Sequence, residues 1–535
     1  MSVARAVMDM LTLFYPHISA AGIAPGSRST PLVVATQKIV DPKSICVHFD
    51  ERGLGFWGVG VGKATLKPAV LVVTSGTAVA NLLPSVIEAY YSFTPLIILS
   101  ADRPAELIDV GSNQAIRQTE FLKPYCRFFA DLQPVESRTV SDHWLEVTLK
   151  AISALKTAPP GPIHLNVRFR EPVWDGGNCD ISPANRSFQL PERPAWGGNP
   201  IGAGVIVIGE NAGNDMSTTI GSVPIIADGL CGRVYSAPGV IETSDWWDTN
   251  VIDAVPEVLL QLGGKVLSKP IAAVISDAEH YIHATPYPEL ADPSLRAKEW
   301  VVAPIQAVIS NIQPINDSGR FDTVYAEFET RLRKLSYEFE REWSELSIFA
   351  ILQRVLSDQF SIFVGNSLPI RMWSMTRHLA KSPYSVTLNR GASGIDGLIA
   401  TAVGAGFGNG TPCMTILGDL SALHDLNSLA LRTPNPNHVV VVINNDGGGI
   451  FRHLPVQTYE HHDPFFRMPH GYGFSHIAAQ FGFEYSRIEG LDAWRAFVTD
   501  HISTCSGRWL LELVVDPGAT VSHIQQIKQK LRRDL

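Results

Sequence analysis

Gly418-Asp419-Leu420-Ser421 and Asn444-Asn445-Asp446-Gly447-Gly448 are the two stretches on which the reading of this chain turns. The apolar run Met414-Thr415-Ile416-Leu417 ends on the first, and Val439-Val440-Val441-Val442-Ile443 ends on the second. Leu423 to Arg432 between them carries a helical pattern, so the whole reads as a β-α-β unit with an oxygen donor at the end of each strand. Ligands of open α/β sheets bind there, outside the carboxyl ends of the strands. A carboxylate, a side-chain amide and a main-chain carbonyl are hard donors. They suit Mg2+, which takes one or two protein oxygens together with phosphate oxygens and water. The pattern predicts a diphosphate held through a divalent metal. Either half alone is an ordinary Gly-Asp or Asn-Asp-Gly turn; the pair, each half on the end of a hydrophobic strand, is not.

A chain of 535 residues is too long for one core and predicts about three domains. Three α/β blocks can be drawn, over residues 1–180, 181–345 and 346–535, each a mostly parallel sheet covered by helices. In the first, strands are expected at Ala69–Val73, Leu96–Leu99 and Ile163–Val167, with helices over Thr77–Tyr91 and Asp142–Leu155. Cys179 to Pro200 is rich in Pro, Gly, Asn and Arg and reads as a linker. The second block has expected strands at Val205–Ile208, Pro224–Ala227, Ile271–Ile275 and Trp300–Val302, then a charged helix over Phe321–Leu346. The third adds Ser361–Val364 and Ser385–Leu388 to the two strands already named.

The net charge of −9 argues against a general nucleic-acid binder. It leaves room for acidic substrates wherever arginines gather. The six cysteines (46, 126, 179, 231, 413 and 505) form no C-x-x-C pair and predict reduced thiols in the cytoplasm. No apolar run reaches the roughly 18 residues of a membrane span. The N-terminal segment, with Arg5 and then Tyr15-Pro16-His17, makes a poor signal peptide.

Four further segments carry chemistry. Ala24-Pro25-Gly26-Ser27-Arg28-Ser29-Thr30-Pro31 is a turn into a helix start, where amides and a guanidinium bind anions. Arg103 and Arg390 follow strand ends, and Arg371 sits on the helix after Gly365-Asn366-Ser367. One arginine is usually a weak surface ion pair; several at strand ends beside a diphosphate site predict polycarboxylate substrates. Gly58-Val59-Gly60-Val61-Gly62-Lys63 fails the P-loop pattern, with Trp57 and Ala64 at positions that need Gly and Ser/Thr, and reads as close helix packing. His453, His461, His462 and His470 lack metal-ligand spacing and are expected as surface or loop histidines of a mobile segment.

The Gly-Asp and Asn-Asn pair resembles the cofactor signature of thiamine diphosphate enzymes, with Leu420 where many members have glycine. That resemblance implies a pyrimidine-binding domain (1–180), a central α/β domain (181–345) and a diphosphate-binding domain (346–535). It implies thiamine diphosphate with Mg2+ or Mn2+ as cofactors. Asp419, Asn445 and the Gly447 carbonyl would be the metal ligands, with Gly418, Leu420 and Ser421 beside the diphosphate and Ile395 supporting the bent cofactor. Such an enzyme also needs a carboxylate at the aminopyrimidine ring. Val47-His48-Phe49-Asp50-Glu51-Arg52-Gly53 supplies Glu51, followed by a Gly-rich apolar stretch that would pack it. In the family this catalytic glutamate reaches a cofactor held by another subunit, which implies a homodimer, or a dimer of dimers, with the active site at the interface.

Residues 25–32, 50–53, 100–104, 112–114, 389–397 and 444–451 resemble one branch of that family. It decarboxylates 2-oxoglutarate and adds the succinyl carbanion equivalent to isochorismate in menaquinone or phylloquinone biosynthesis. By that resemblance Ser27, Arg28, Arg103, Asn113, Gln114, Ser367, Arg371 and Arg390 would hold substrate, and Ile450 and Phe451 would form an apolar wall. The likeness is faint in the central block, where no substrate residue is assigned. The alternative is another 2-oxo acid decarboxylase or carboligase of the acetohydroxyacid synthase type, against which the arginines and the Pro-Gly-Ser-Arg turn argue. A non-catalytic scaffold is disfavoured by the intact Glu51 and metal ligands, and no nicotinamide or flavin fingerprint is present.

Overall fold

Runs that are apolar at every position, rather than at alternate ones, suit strands covered on both faces. Ala69–Val73 is such a strand in the computed structural model, and Leu96–Asp102 begins as one at Leu96–Leu99; every residue of both is buried. The structure describes residues 3–157, 159–173, 200–210, 212, 223–235, 239–288, 292–315, 319–502 and 506–533. The linker expected over Cys179–Pro200 lies outside these, Pro200 apart, as do Cys179 and Cys505; Cys46, Cys126, Cys231 and Cys413 are free thiols. No helix among the described residues is long and apolar enough to cross a membrane.

The chain forms two compact units: Met1–Arg193 with Asn389–Cys413 and Ser421–Pro436, and Pro194–Leu388 with Met414–Leu420 and Asn437–Leu535. In the first unit the strands are β1 (Ala20–Ile23), β2 (Ile45–Val47), β3 (Ala69–Val73), β4 (Leu96–Asp102), β5 (Phe128–Leu132) and β6 (Pro162–Arg168). They form one parallel sheet of order β2-β1-β3-β4-β6-β5. The strand order reverses between β1 and β3, so the crevice for a ligand opens after Ile23 and Val73. Helices Val3–Phe14, Thr30–Ile39 and Arg138–Thr157 cover one face, burying Phe14, Leu32 and Trp144 against Val70, Ile97 and Leu165.

Helix Glu51–Thr65 packs on helix Leu398–Asn409 at a separation only glycine permits. A Cβ on Gly60 would overlap the Thr401 carbonyl oxygen, and one on Gly404 would overlap that of Trp57. The Gly58–Gly62 run is therefore helix packing, as expected.

The second unit holds two large sheets. Its strands are β7 (Ile201–Ala203), β8 (Val205–Ile208), β9 (Ile225–Ala227), β10 (Arg233–Val234), β11 (Val240–Ile241), β12 (Val258–Leu262), β13 (His280–Thr285), β14 (Glu299–Val302) and β15 (Ile312–Pro314). They continue with β16 (Ser361–Val364), β17 (Tyr384–Thr387), β18 (Cys413–Gly418), β19 (His438–Asn444), β20 (Glu484–Ile488) and β21 (Arg508–Val514). One sheet, β11-β9-β8-β12-β13-β14, is wholly parallel. The other runs β10-β17-β16-β18-β19-β21-β20, with β10 antiparallel at its edge. Its order reverses between β16 and β18, which puts the crevice after Val364 and Gly418. β7 and β15 form a small separate pair.

Three expectations are corrected. Ile271–Ile275 is not a strand but part of helix Lys269–Asp277, whose buried Ile271, Val274 and Ile275 follow the helical spacing. Five apolar residues cannot distinguish the two periods, and Pro270 in the first turn favours the helix. The helix expected over Phe321–Leu346 ends at Lys334, and a new one starts at Glu345 under a Ser344–Ser347 capping box. The helix expected over Leu423–Arg432 is helix Asp419–His424 followed by a 3-10 turn, Leu426–Ala430. The break has a cause in Asp425, whose buried carboxylate accepts Ile399 N (2.8 Å), Ala400 N (3.0 Å) and Ser428 Oγ (2.6 Å). It caps helix Leu398–Asn409, whose own N-cap is Gly397.

Candidate active site

Asp419 and Asn445 follow the carboxyl ends of β18 and β19, and both are buried. Asp419 Oδ1 accepts Leu420 N at 2.7 Å, and Oδ2 accepts Gly447 N at 2.8 Å. Burial raises the Asp419 carboxyl above its ordinary range, opposed by these amides. Asn445 donates Nδ2 to Glu345 Oε1 at 2.8 Å, and its buried Oδ1 has no partner among the described residues. Glu345 is fully buried, and burial lifts it to about 7. An unpartnered buried carbonyl oxygen is costly unless something polar meets it. Gly447 adopts φ +126°, and a Cβ there would overlap the Arg467 carbonyl oxygen. A carboxylate, an orphaned amide oxygen and the Gly447 carbonyl, which accepts Gly449 N at 2.9 Å and keeps a second lone pair, are the donor set a hard divalent cation needs, so these residues fit one.

The turn is pinned by residues to which the sequence reading gives no part in the site. Asp446, itself at φ +59°, accepts His470 N (2.9 Å), Gly471 N (2.7 Å) and Arg467 Nη2 (2.9 Å). The Gly471 amide, opposed by slight burial and aided by Arg467, holds the Asp446 carboxyl down to about 2. Of the four histidines expected on the surface or in loops, His462 is buried, and His470 does lie in a loop but with its imidazole, 4 % exposed, 3.1 Å from Asp419 Oδ2. Nothing in the local pattern marks His470, because its burial comes from the 467–471 segment folding back onto Asp446. Ile450 and Phe451 are half-buried, and Phe451 meets Phe466 edge to face. Ser367, at φ +70°, precedes helix Leu368–Thr376, and its carbonyl accepts Nη1 of the exposed Arg371 at 2.6 Å.

The first unit carries its own polar crevice. Arg103, 8 % exposed, donates Nη1 to Ser75 Oγ and to the Gln114 carbonyl, both at 2.7 Å. Gln114 returns Nε2 to the Ser75 carbonyl at 2.9 Å, and Gln118 Oε1 accepts Gly76 N at 2.8 Å. Arg28 donates Nη1 to the Phe169 carbonyl at 3.1 Å and pairs with the exposed Glu171 at 2.8 Å. Burial, and then the like charge of Arg28, lower the hold of Arg103 on its proton. Two guanidiniums at one crevice suit an anion. Ser27, next to Arg28, and Asn113, next to Gln114, are exposed. Ser75 and Gln118 were invisible in the sequence, being ordinary polar residues that only the fold brings to Arg103 and Gly76 respectively.

Glu51 opens helix Glu51–Thr65, with Asp50 as N-cap accepting Arg52 N (3.0 Å) and Gly53 N (3.3 Å). It is half-buried, and its Oε2 accepts Asn81 Nδ2 at 3.4 Å. Arg390 lies in a loop held by Glu88, which accepts Gly391 N (3.0 Å) and Ala392 N (2.8 Å) and pairs with Lys63 at 2.9 Å. Ile395, further along that loop, is 41 % exposed.

Residues 1–121 match the family described as thiamine pyrophosphate enzyme, N-terminal TPP binding domain. The chain is 33% identical to 2-succinyl-5-enolpyruvyl-6-hydroxy-3-cyclohexene-1-carboxylate synthase of Shewanella halifaxensis, over 98% of this chain and 97% of that one. It is 35% identical to the synthase of the same name from Psychromonas ingrahamii, over 95% and 92%. With that of Photobacterium profundum the figures are 36%, 88% and 86%. Among solved structures, benzoylformate decarboxylase from Polynucleobacter necessarius superposes with a TM-score of 0.71 at 13% identity, covering 96% of this chain and 98% of that one. It shares the fold. The sheets with their crevices at strand carboxyl ends, together with likeness along nearly the whole chain, place this protein in the 2-succinyl-5-enolpyruvyl-6-hydroxy-3-cyclohexene-1-carboxylate (SEPHCHC) synthase family of thiamine diphosphate enzymes.

Proposed function

We propose that this chain decarboxylates 2-oxoglutarate and joins the resulting succinyl unit to isochorismate, as a step toward menaquinone or phylloquinone. The observation that carries this reading is the end-to-end likeness to synthases named for that product. The product name is itself chemical information. A succinyl group added to a ring carbon is what a five-carbon 2-oxo diacid leaves after losing CO2, and the succinyl, enolpyruvyl and ring portions each bear a carboxylate. Thiamine diphosphate, when bound, supplies the carbanion chemistry for both halves of the reaction.

The protein's residues bind, orient and exclude water. Asp419, Asn445 and the Gly447 carbonyl hold Mg2+ or Mn2+ against the diphosphate, with Gly418, Leu420 and Ser421 alongside. Glu51 would hold a proton at the aminopyrimidine nitrogen, and Ile395 would support the cofactor. Ser27, Arg28, Arg103, Asn113, Gln114, Ser367, Arg371 and Arg390 anchor carboxylates and hydroxyls. The buried Arg103, with the charge of Arg28 near it, supports this role, since a desolvated cation beside a like charge favours an anionic guest. Ile450 and Phe451 keep water from the reacting carbon.

We assign the pyrimidine, central and diphosphate-binding domains to residues 1–180, 181–345 and 346–535. The active enzyme is a cytoplasmic homodimer or dimer of dimers, in which Glu51 of one subunit serves a cofactor held by the other. The test is an incubation with 2-oxoglutarate, isochorismate, thiamine diphosphate and Mg2+, with the product identified by mass. CO2 release from 2-oxoglutarate and the succinyl adduct are expected. Turnover of pyruvate in place of 2-oxoglutarate would transfer the chain to the acetohydroxyacid synthase type.

A further inference from the structure

His470 has a defined tautomer. The backbone N–H of Tyr472 donates to its Nδ1 at 2.9 Å, so Nδ1 is an acceptor and the ring proton of the neutral imidazole sits on Nε2. Nε2 lies 3.1 Å from Asp419 Oδ2 and donates to it. The ring cannot easily turn away. It stacks on Tyr472 with centroids 5.4 Å apart, its own backbone N–H is held by Asp446, and the Tyr472 carbonyl accepts Asn444 Nδ2 at 3.1 Å.

The acceptor sites of Asp419 can then be counted. A carboxylate offers about four lone-pair directions. On Oδ2 one takes Gly447 N and one takes His470 Nε2; on Oδ1 one takes Leu420 N. What remains open is on Oδ1. We propose that His470 is a positioning residue of the cation site: by filling the last acceptor position of Asp419 Oδ2 it restricts Asp419 to one-point donation through Oδ1.

One-point donation suits Mg2+, which demands near-octahedral geometry, whereas Ca2+ accepts bidentate carboxylates and irregular shells. His470 would thus favour the smaller ion, an effect distinct from merely packing the loop. The inference rests on the proposed assignment of Asp419 as a metal ligand.

The test counts free Mn2+ by electron paramagnetic resonance over the full-length protein saturated with thiamine diphosphate, with Mg2+ and Ca2+ as competitors. His470→Gln keeps an amide N–H near the place of Nε2, while His470→Asn carries its amide near the place of Nδ1. His470→Asn should weaken Mn2+ and lower the preference for Mg2+ over Ca2+ by about tenfold, the scale of outer-shell substitutions at metal sites; His470→Gln should restore most of both. An unchanged Mg2+/Ca2+ ratio in His470→Asn, or a Gln variant no better than Asn, would overturn the role. Asp419→Ala separates the layers. If it binds Mn2+ normally, the metal-site reading itself falls; if it loses Mn2+ while His470→Asn does not, only the positioning role falls. A measurement on the unaltered protein stands beside these. 15N-histidine spectra should show His470 as the Nε2–H tautomer, and an Nδ1–H tautomer would refute the proposal even if the variants failed to fold.

Discussion

Replacing Glu88 by Gln should release the loop that carries Arg390. Glu88 is 2 % exposed and Lys63, its partner at 2.9 Å, has a side chain 14 % exposed, so the pair is shielded from screening by solvent. Oε1 accepts Lys63 Nζ and Gly391 N, and Oε2 accepts Ala392 N. An amide in this place sets an NH2 against at least one of these donors and leaves the Lys63 ammonium without its carboxylate. Removing one partner of a buried pair costs about 3–5 kcal/mol. The isosteric change, with Asn389 Oδ1 still 2.9 Å from Lys63, belongs at the lower end. About 3 kcal/mol is a little over a hundredfold in the opening equilibrium of the loop.

Because the chain has two units, one global unfolding free energy is poorly defined. The assay is therefore amide hydrogen exchange at Gly391 and Ala392, which should speed by about that hundredfold. A Glu88→Leu, Lys63→Met double variant should recover the charge part of the loss but not the amide part. Burial pushes the Glu88 carboxyl up, but the Lys63 charge and the two amides outweigh it, and its net value lies below the ordinary 4.5. A depressed carboxyl stabilises the fold fully above its unfolded value and loses that contribution as pH falls through the folded one. Protection of the loop should accordingly hold at neutral pH and fail on acidification below 4.5. Unchanged exchange in Glu88→Gln at neutral pH would refute the reasoning.

Glu51→Gln should retain thiamine diphosphate, measured by equilibrium binding, and lose most turnover; near-normal activity would remove Glu51 from the proton path. Gly404→Ala should force helices Glu51–Thr65 and Leu398–Asn409 apart, because its methyl meets the Trp57 carbonyl rather than a yielding side chain. Overpacking of this kind costs about 1–3 kcal/mol, and the variant should melt several degrees lower by calorimetry; an unshifted transition would mean that the helices part without loss.

Much of the chain was legible in one dimension because its decisive signals are local. Ala69–Val73 and Val439–Ile443 announce buried parallel strands by composition, and a donor placed just after a strand end is carried to the crevice by the α/β topology itself. That is why oxygen donors at the ends of β18 and β19 could be expected together before any coordinate, while the choice of Asp419, Asn445 and Gly447 as ligands rested on resemblance. Ile271–Ile275 was misread because five apolar residues satisfy either period, and Leu423–Arg432 because Asp425 answers to Ile399 and Ala400, some 25 residues away.

The residues that tune the site were not legible at all. Glu345 reaches Asn445 across 100 positions, and His470 reaches Asp419 across 51. Ser75 and Gln118 matter only because β3 and β4 lie side by side. The sequence alone determined which chemical groups stand at the strand ends, since that depends on neighbours in the chain. Tertiary structure alone decided how those groups are turned: which lone pair of Asp419 stays open, which oxygen of Asn445 is left waiting, and which arginine is desolvated. Orientation is set by hydrogen bonds from distant segments, and no local pattern encodes them.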